Sequence, residues 1–150
     1  GDFQIGRQLA PLFSEYVGLD IVPELVAFNN STFGTDVISF VQADLIEDTF
    51  PAGGVAFVRQ VLQHLSNFEI LKILEKLKTF RHVYITEDWP AVEFGPNLDL
   101  RNRAEVRGNF QPPSGVVVWE PPFNVPDSVV SEIASVNYGG GKIVTHRISW

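Results

Sequence analysis

Tyr16-Val17-Gly18-Leu19-Asp20-Ile21 is a short apolar run that ends in a carboxylate and is followed closely by Pro23. Such a run suits a strand covered on both faces, as in a parallel sheet. Proline is at home in the first turn of a helix, where its missing N–H would have no partner in any case. Leu25, Val26 and Phe28 continue that helix, which breaks near Gly34. The unit then repeats. Val37 to Val41 reads as a second strand, again closed by an acid at Asp44, and Val55-Ala56-Phe57-Val58 as a third, with Arg59 to Leu65 as the turn that leaves it. His82-Val83-Tyr84-Ile85-Thr86 is a fourth, ending in Glu87 and Asp88.

Between the third and fourth strands, Ser66-Asn67-Phe68-Glu69 forms a capping box, in which hydroxyl and carboxylate satisfy opposite backbone donors at a helix start. Ile70, Ile73, Leu74 and Leu77 then follow the i, i+3, i+4, i+7 rule of a helix with one buried face. Strands alternating with helices predict a doubly wound α/β domain with a mostly parallel sheet and right-handed crossovers. A helix over Ile5 to Phe13, kinked at Pro11, has no strand before it. The first strand of the pattern is therefore expected to be missing. The opening residue Gly1 and the absence of methionine fit a start inside a glycine loop.

Beyond Asp88 the alternation stops. Trp89 to Ser114 is rich in Pro, Asn and Arg and is too long for an ordinary connector, which marks it as a functional flap. Val116 to Trp119 reads as a strand, Asp127 to Val136 as a short helix, and Ile143 to Ile148 as a final, antiparallel strand after Gly139-Gly140-Gly141. The 150 residues are read as one domain, with 1–88 as a ligand-binding half and 89–150 as flap and closing strands.

Composition narrows the function classes. A net charge of −7 disfavours a broad phosphate-tracking surface, and so nucleic acid as a partner. Without cysteine there is neither a disulfide nor a thiolate metal site. His64, His82 and His146 lack metal-ligand spacing, so no metal is expected. No apolar run approaches the roughly 20 residues needed to span a bilayer. A cytoplasmic location is the default reading, which makes the Asn30-Ser31-Thr32 sequon incidental.

In an open α/β sheet the ligand lies beyond the carboxyl ends of the strands, where Asp20, Asp44, Arg59 to His64 and Glu87 gather. Asp20 lies nineteen residues after Gly1, near the spacing between a glycine loop and the acid that holds a ribose. Asp44 can accept from an adenine amino group, with the Leu45 N–H donating to a ring nitrogen. Each acid can equally be a plain strand-end or turn residue.

At these residues the chain resembles the class I S-adenosylmethionine-dependent methyltransferases. Gly1-Asp2-Phe3 looks like the tail of their first motif, Gly18-Leu19-Asp20-Ile21 like their second and Gln42-Ala43-Asp44-Leu45 like their third. Arg59-Gln60-Val61-Leu62-Gln63-His64-Leu65 resembles the segment that passes beneath the cofactor. The resemblance covers Gly1 to Asp88. It implies S-adenosylmethionine as cofactor, held by Gly1, Asp2, Phe3, Asp20, Ile21, Asp44, Leu45, Arg59 and Gln60, and methyl transfer to a small-molecule acceptor. His64 is the candidate general base, with Glu87 in reserve. Gly54, at a position often acidic in that family, departs from the pattern.

A nicotinamide-dependent oxidoreductase is the main rival, because it joins a similar loop to a ribose-binding acid. Asp2 would then stand close to a pyrophosphate, and Gly1-Asp2-Phe3-Gln4-Ile5-Gly6 lacks the middle glycine of Gly-x-Gly-x-x-Gly. A non-catalytic module of the same fold is the second rival. In the flap, Arg101, Arg103 and Arg107 are read as solvated and paired with Asp99 and Glu105, with an anion site as the alternative. Trp89, Phe94, Phe110, Trp119 and Phe123 either line an acceptor pocket or form the core beneath the flap.

Overall fold

The structure, a computed structural model, describes residues 1–101 and 105–150; Arg103 lies outside them. The chain divides into two compact units, Gly1–Pro51 and Ala52–Trp150.

In the first unit the expected opening helix is a four-residue α1 (Gly6–Leu9) that tightens into a 3₁₀ turn at Ala10–Leu12, with Pro11 in it. Strand β1 (Tyr16–Asp20) pairs in parallel with β2 (Ile38–Gln42), and α2 (Pro23–Phe33) connects them. Pro23 opens the helix and Gly34 caps it, its N–H donating to the Asn30 carbonyl. The core is aromatic. Phe3, Ala10 and Phe40 are buried together, with Tyr16, Val26, Phe33 and Ile38 packed on them, and the Phe3 and Phe40 rings meet edge to face at 4.9 Å. Gly18 is needed here, because a Cβ at this position would lie 2.6 Å from the Phe40 ring.

The second unit holds a four-stranded sheet in the order β3-β4-β8-β7. Strands β3 (Val55–Arg59) and β4 (His82–Pro90) are parallel and joined through α3 (Asn67–Leu77). Ser66 and Glu69 form the capping box at the start of α3, and its residues Ile70, Ile73, Leu74 and Leu77 are buried. On the sheet Val83, Ile85, Val144 and Ile148 are buried in turn. Two-residue strands β5 (Gly95–Pro96) and β6 (Ser114–Gly115) pair in parallel at the two ends of the flap.

Strand β8 (Gly141–Ile148) runs antiparallel to β4, as expected of the last strand. Three expectations are corrected. Asp127 to Val136 is not a helix: after a 3₁₀ turn at Asp127–Val129 the chain becomes β7 (Val130–Tyr138), antiparallel to β8, with a register shift between Glu132 and Ala134. The apolar spacing of Val129, Val130, Ile133 and Val136 satisfies a helix pattern, but pairing with β8 across a glycine turn decides the outcome. The sheet is consequently mixed rather than mostly parallel, because two of its four strands belong to this hairpin. Val116 to Trp119 is no strand either; Val116, Val117 and Val118 are buried just past β6 without a ladder.

Candidate functional site

In the first unit the strand-end acid stands where the α/β pattern puts it. The Asp20 carboxylate closes β1 and accepts from the Val22 N–H at 3.0 Å. Burial pushes its pKa up, and the N–H groups of Val22 and Ile21 pull it down. The Gly1 carbonyl accepts from Asn29 Nδ2 at 2.9 Å, so a buried asparagine ties Gly1 to α2. Asp2 Oδ1 accepts from the Gln4 N–H at 3.2 Å. Phe3 adopts a left-handed backbone (φ 60°) and sends its ring into the core. Ile21 is exposed.

Asp44 is engaged in a turn. Its Oδ1 accepts from the Ile46 N–H at 2.8 Å and its own N–H donates to Asp48 Oδ2 at 2.8 Å, leaving Leu45 half-buried inside that turn.

In the second unit the segment leaving β3 is held by β4. Gln60 turns left-handed (φ 51°) just past Arg59 and donates its N–H to the Thr86 carbonyl at 2.7 Å. A 3₁₀ turn follows at Leu62–His64. Glu87 stands beneath it, 2% exposed, with Oε1 3.1 Å from the Leu62 N and Oε2 3.2 Å from the Gln63 N. Desolvation pushes its pKa up to about 7, and the N–H groups of Leu62, Gln63 and Val61, with the Arg107 charge, only partly counter it. The His64 ring is exposed, 3.3 Å from the Gln63 amide nitrogen.

Arg107 is not solvated as the sequence suggested. It is completely buried, and its guanidinium donates to the carbonyls of Leu98 and Leu65 and to Asn67 Oδ1, the latter two at 2.6 and 3.0 Å. The three acceptors lie on the flap, on the turn after Leu62–His64 and at the start of α3, so one cation joins them. Arg101 does follow expectation, pairing with Glu105 at 2.8 Å on the surface.

The sequence reading missed Asn97. Its side chain accepts from the Val117 N–H at 2.8 Å and donates to the Val117 and Pro121 carbonyls at 2.8 and 3.0 Å, with its own backbone left-handed at φ 57°. Nothing local in the sequence marks these contacts.

The flap aromatics separate into two groups. Phe110 and Phe123 are buried in the core, while Trp89 and Trp119 meet at 6.0 Å and border a pocket of about 300 Å³ with Asp127, Val130, Glu132 and His146. His146 was reachable from sequence, since alternation along β8 puts it on the same face as the buried Val144 and Ile148. Among the described residues no cluster of three or more His, Asp or Glu could hold a metal ion, and no helix is long and apolar enough to cross a membrane.

No protein-family model and no curated protein matches the chain. Solved structures do match. A DhpI–SAH complex is 17% identical with a TM-score of 0.63, covering 99% of this chain and 72% of that one. An S-adenosylmethionine-dependent methyltransferase from Mesorhizobium loti is 12% identical with a TM-score of 0.63, covering 98% of this chain and 87% of that one. A pericyclic reaction enzyme is 9% identical with a TM-score of 0.63, covering 99% of this chain and 39% of that one. Likeness at such identities speaks for the fold. The chain thus has the Rossmann-like α/β fold of the S-adenosylmethionine-dependent methyltransferases.

Proposed function

We propose that this protein binds S-adenosylmethionine and transfers its methyl group to a small-molecule acceptor. The observation that carries the reading is the Asp20 carboxylate, which closes a parallel strand, accepts from the Val22 N–H and is 22% exposed. A carboxylate so placed suits a ribose, whose two hydroxyls are donors in search of an acceptor. The presence of SAH in a structure of the same fold supports the choice of cofactor. When bound, S-adenosylmethionine supplies an electrophilic methyl group on its sulfonium.

The chain's own residues divide the remaining work. Asp20 holds the ribose, and Gly1, Asp2, Phe3 and Ile21 offer backbone groups around it. Asp44 and Leu45 form the turn assigned to the adenine. Arg59 and Gln60 begin the segment that the family resemblance assigns to the cofactor, and Glu87 fixes that segment's course through Leu62 and Gln63. With both oxygens so engaged, Glu87 serves as a positioning residue. His64, whose ring is exposed, is assigned the proton of the acceptor.

Calorimetry of the full chain with S-adenosylhomocysteine and with NAD tests the proposal. Saturable binding of the first and none of the second is expected. Preference for NAD would return the chain to the nicotinamide-dependent oxidoreductases. Tight binding of S-adenosylhomocysteine with no methyl transfer to phenol, amine or carboxylate acceptors would make it a non-catalytic module.

A further inference from the structure

The pocket between Trp89 and Trp119 has a chemical character of its own. Both indoles are half-buried, and the Trp89 ring is fixed by its Nε1–H, which donates to the Val116 carbonyl at 2.9 Å. His146 packs against both, its ring 5.2 Å from that of Trp89 and 4.8 Å from that of Trp119. Burial keeps this imidazole below its usual pKa, with Glu132 pulling up and Lys142 pushing down, so it presents a neutral aromatic wall. Asp127 and Glu132 are exposed and complete the lining, and no lysine or arginine is part of it.

Aromatic faces attract cations through their quadrupole, and more strongly where water is excluded. The chain already shows this preference beside the pocket. The Lys142 ammonium lies 5.9 Å from the Trp89 ring centroid and 3.2 Å from both oxygens of Glu132. That pairing leaves Asp127 and the Trp119 face for a second cation. The volume, about 300 Å³, is at the small end for ligand sites.

We propose that this pocket binds a small organic cation, a methylated ammonium of about choline's size, with its methyl groups on the Trp119 face and its charge balanced by Asp127. The proposal is independent of the methyl-transfer reading, since it invokes none of the residues assigned to the cofactor.

Titration of tryptophan fluorescence in a Trp150→Phe background, with choline and with its uncharged isostere 3,3-dimethylbutan-1-ol, tests it. Choline should give a saturable change that the alcohol does not give at equal concentration. Trp119→Ala should weaken choline binding by about two- to thirtyfold. Asp127→Asn, at an exposed position where folding is not at stake, should weaken it severalfold and flatten its salt dependence. Equal responses to choline and the alcohol would reduce the site to an apolar crevice and overturn the proposal. So would an absent saturable response, or an affinity unchanged in both Asp127→Asn and Trp119→Ala. Loss of S-adenosylhomocysteine binding, with choline binding intact, would count only against the methyl-transfer reading.

Discussion

Glu87 sits beneath the Leu62 backbone with its Oε1 3.1 Å from that residue's nitrogen, twenty-five positions away in the chain. The turn after β3 is thereby hung on β4 by a carboxylate that is almost fully buried.

This burial makes stability depend on pH. The pKa of Glu87 is about 7 in the folded state against an ordinary 4.5, so between these values the folded chain holds a proton that the unfolded chain has lost. The contribution is fully present below about pH 4.5 and disappears as pH rises through 7, for a total on the order of 3 kcal/mol. His146, whose pKa is depressed by burial, acts oppositely, gaining stability as pH rises toward 6.5. The difference between wild type and Glu87→Gln in urea melts from pH 4.5 to 8 isolates the first effect. The variant should lack the Glu87 slope and keep that of His146; identical profiles would show that Glu87 does not titrate in this window.

Arg107→Lys should destabilise the second unit by about 3 kcal/mol or more. A lysine cannot spread donors over the Leu98 and Leu65 carbonyls and Asn67 at once, and the loss strands buried acceptors. Thermal melts would show the loss, and a variant within about 0.5 kcal/mol of wild type would contradict the role given to this cation.

Gly18→Ala brings a methyl group to 2.6 Å from Phe40 in the aromatic core. A cost of about 1 to 3 kcal/mol is expected. The double variant Gly18→Ala with Phe40→Leu should recover part of it, because the smaller side chain makes room. Equilibrium unfolding of the set measures the coupling.

Asp20→Ala should weaken S-adenosylhomocysteine binding about ten- to a hundredfold while the fold persists, because ribose hydroxyls lose a charged acceptor. Calorimetry paired with circular dichroism checks both halves of the statement. Asp44→Ala should cost less, as adenine retains backbone and stacking contacts.

For a hydroxyl acceptor, His64→Ala should lower the single-turnover rate about 10²- to 10⁴-fold at saturating cofactor. A rate that holds while cofactor affinity falls would make His64 a binding residue.

Features written in neighbouring residues were the legible ones. Ser66 and Glu69 announce their helix three residues apart, and Asp20 follows its apolar run directly, so both read correctly from sequence. Val129 to Val136 did not, because β-branched residues at helical spacing satisfy two patterns and the deciding partner, β8, lies across a turn. Arg107 and Asn97 were opaque for a related reason. Their partners, Leu65 and Val117, are 42 and 20 positions away, and a charged or polar side chain buried by such contacts carries no local mark. The strand-end acids were visible as types; only the structure shows Asp20 accepting from Val22 and Asp44 from Ile46.

The register shift between Glu132 and Ala134 bears on how this molecule behaves at high concentration. Strand β7 is last in its sheet and exposed along almost all its nine residues, with Ile133, Val136 and Tyr138 open to water. An unbroken edge of that length would template intermolecular strand addition. The bulge divides it into two short, differently twisted pieces, and Glu132 places a carboxylate at the break. Straightening β7 by deleting Ile133 would therefore trade colloidal stability for a regular ladder, and the native irregularity guards against fibres.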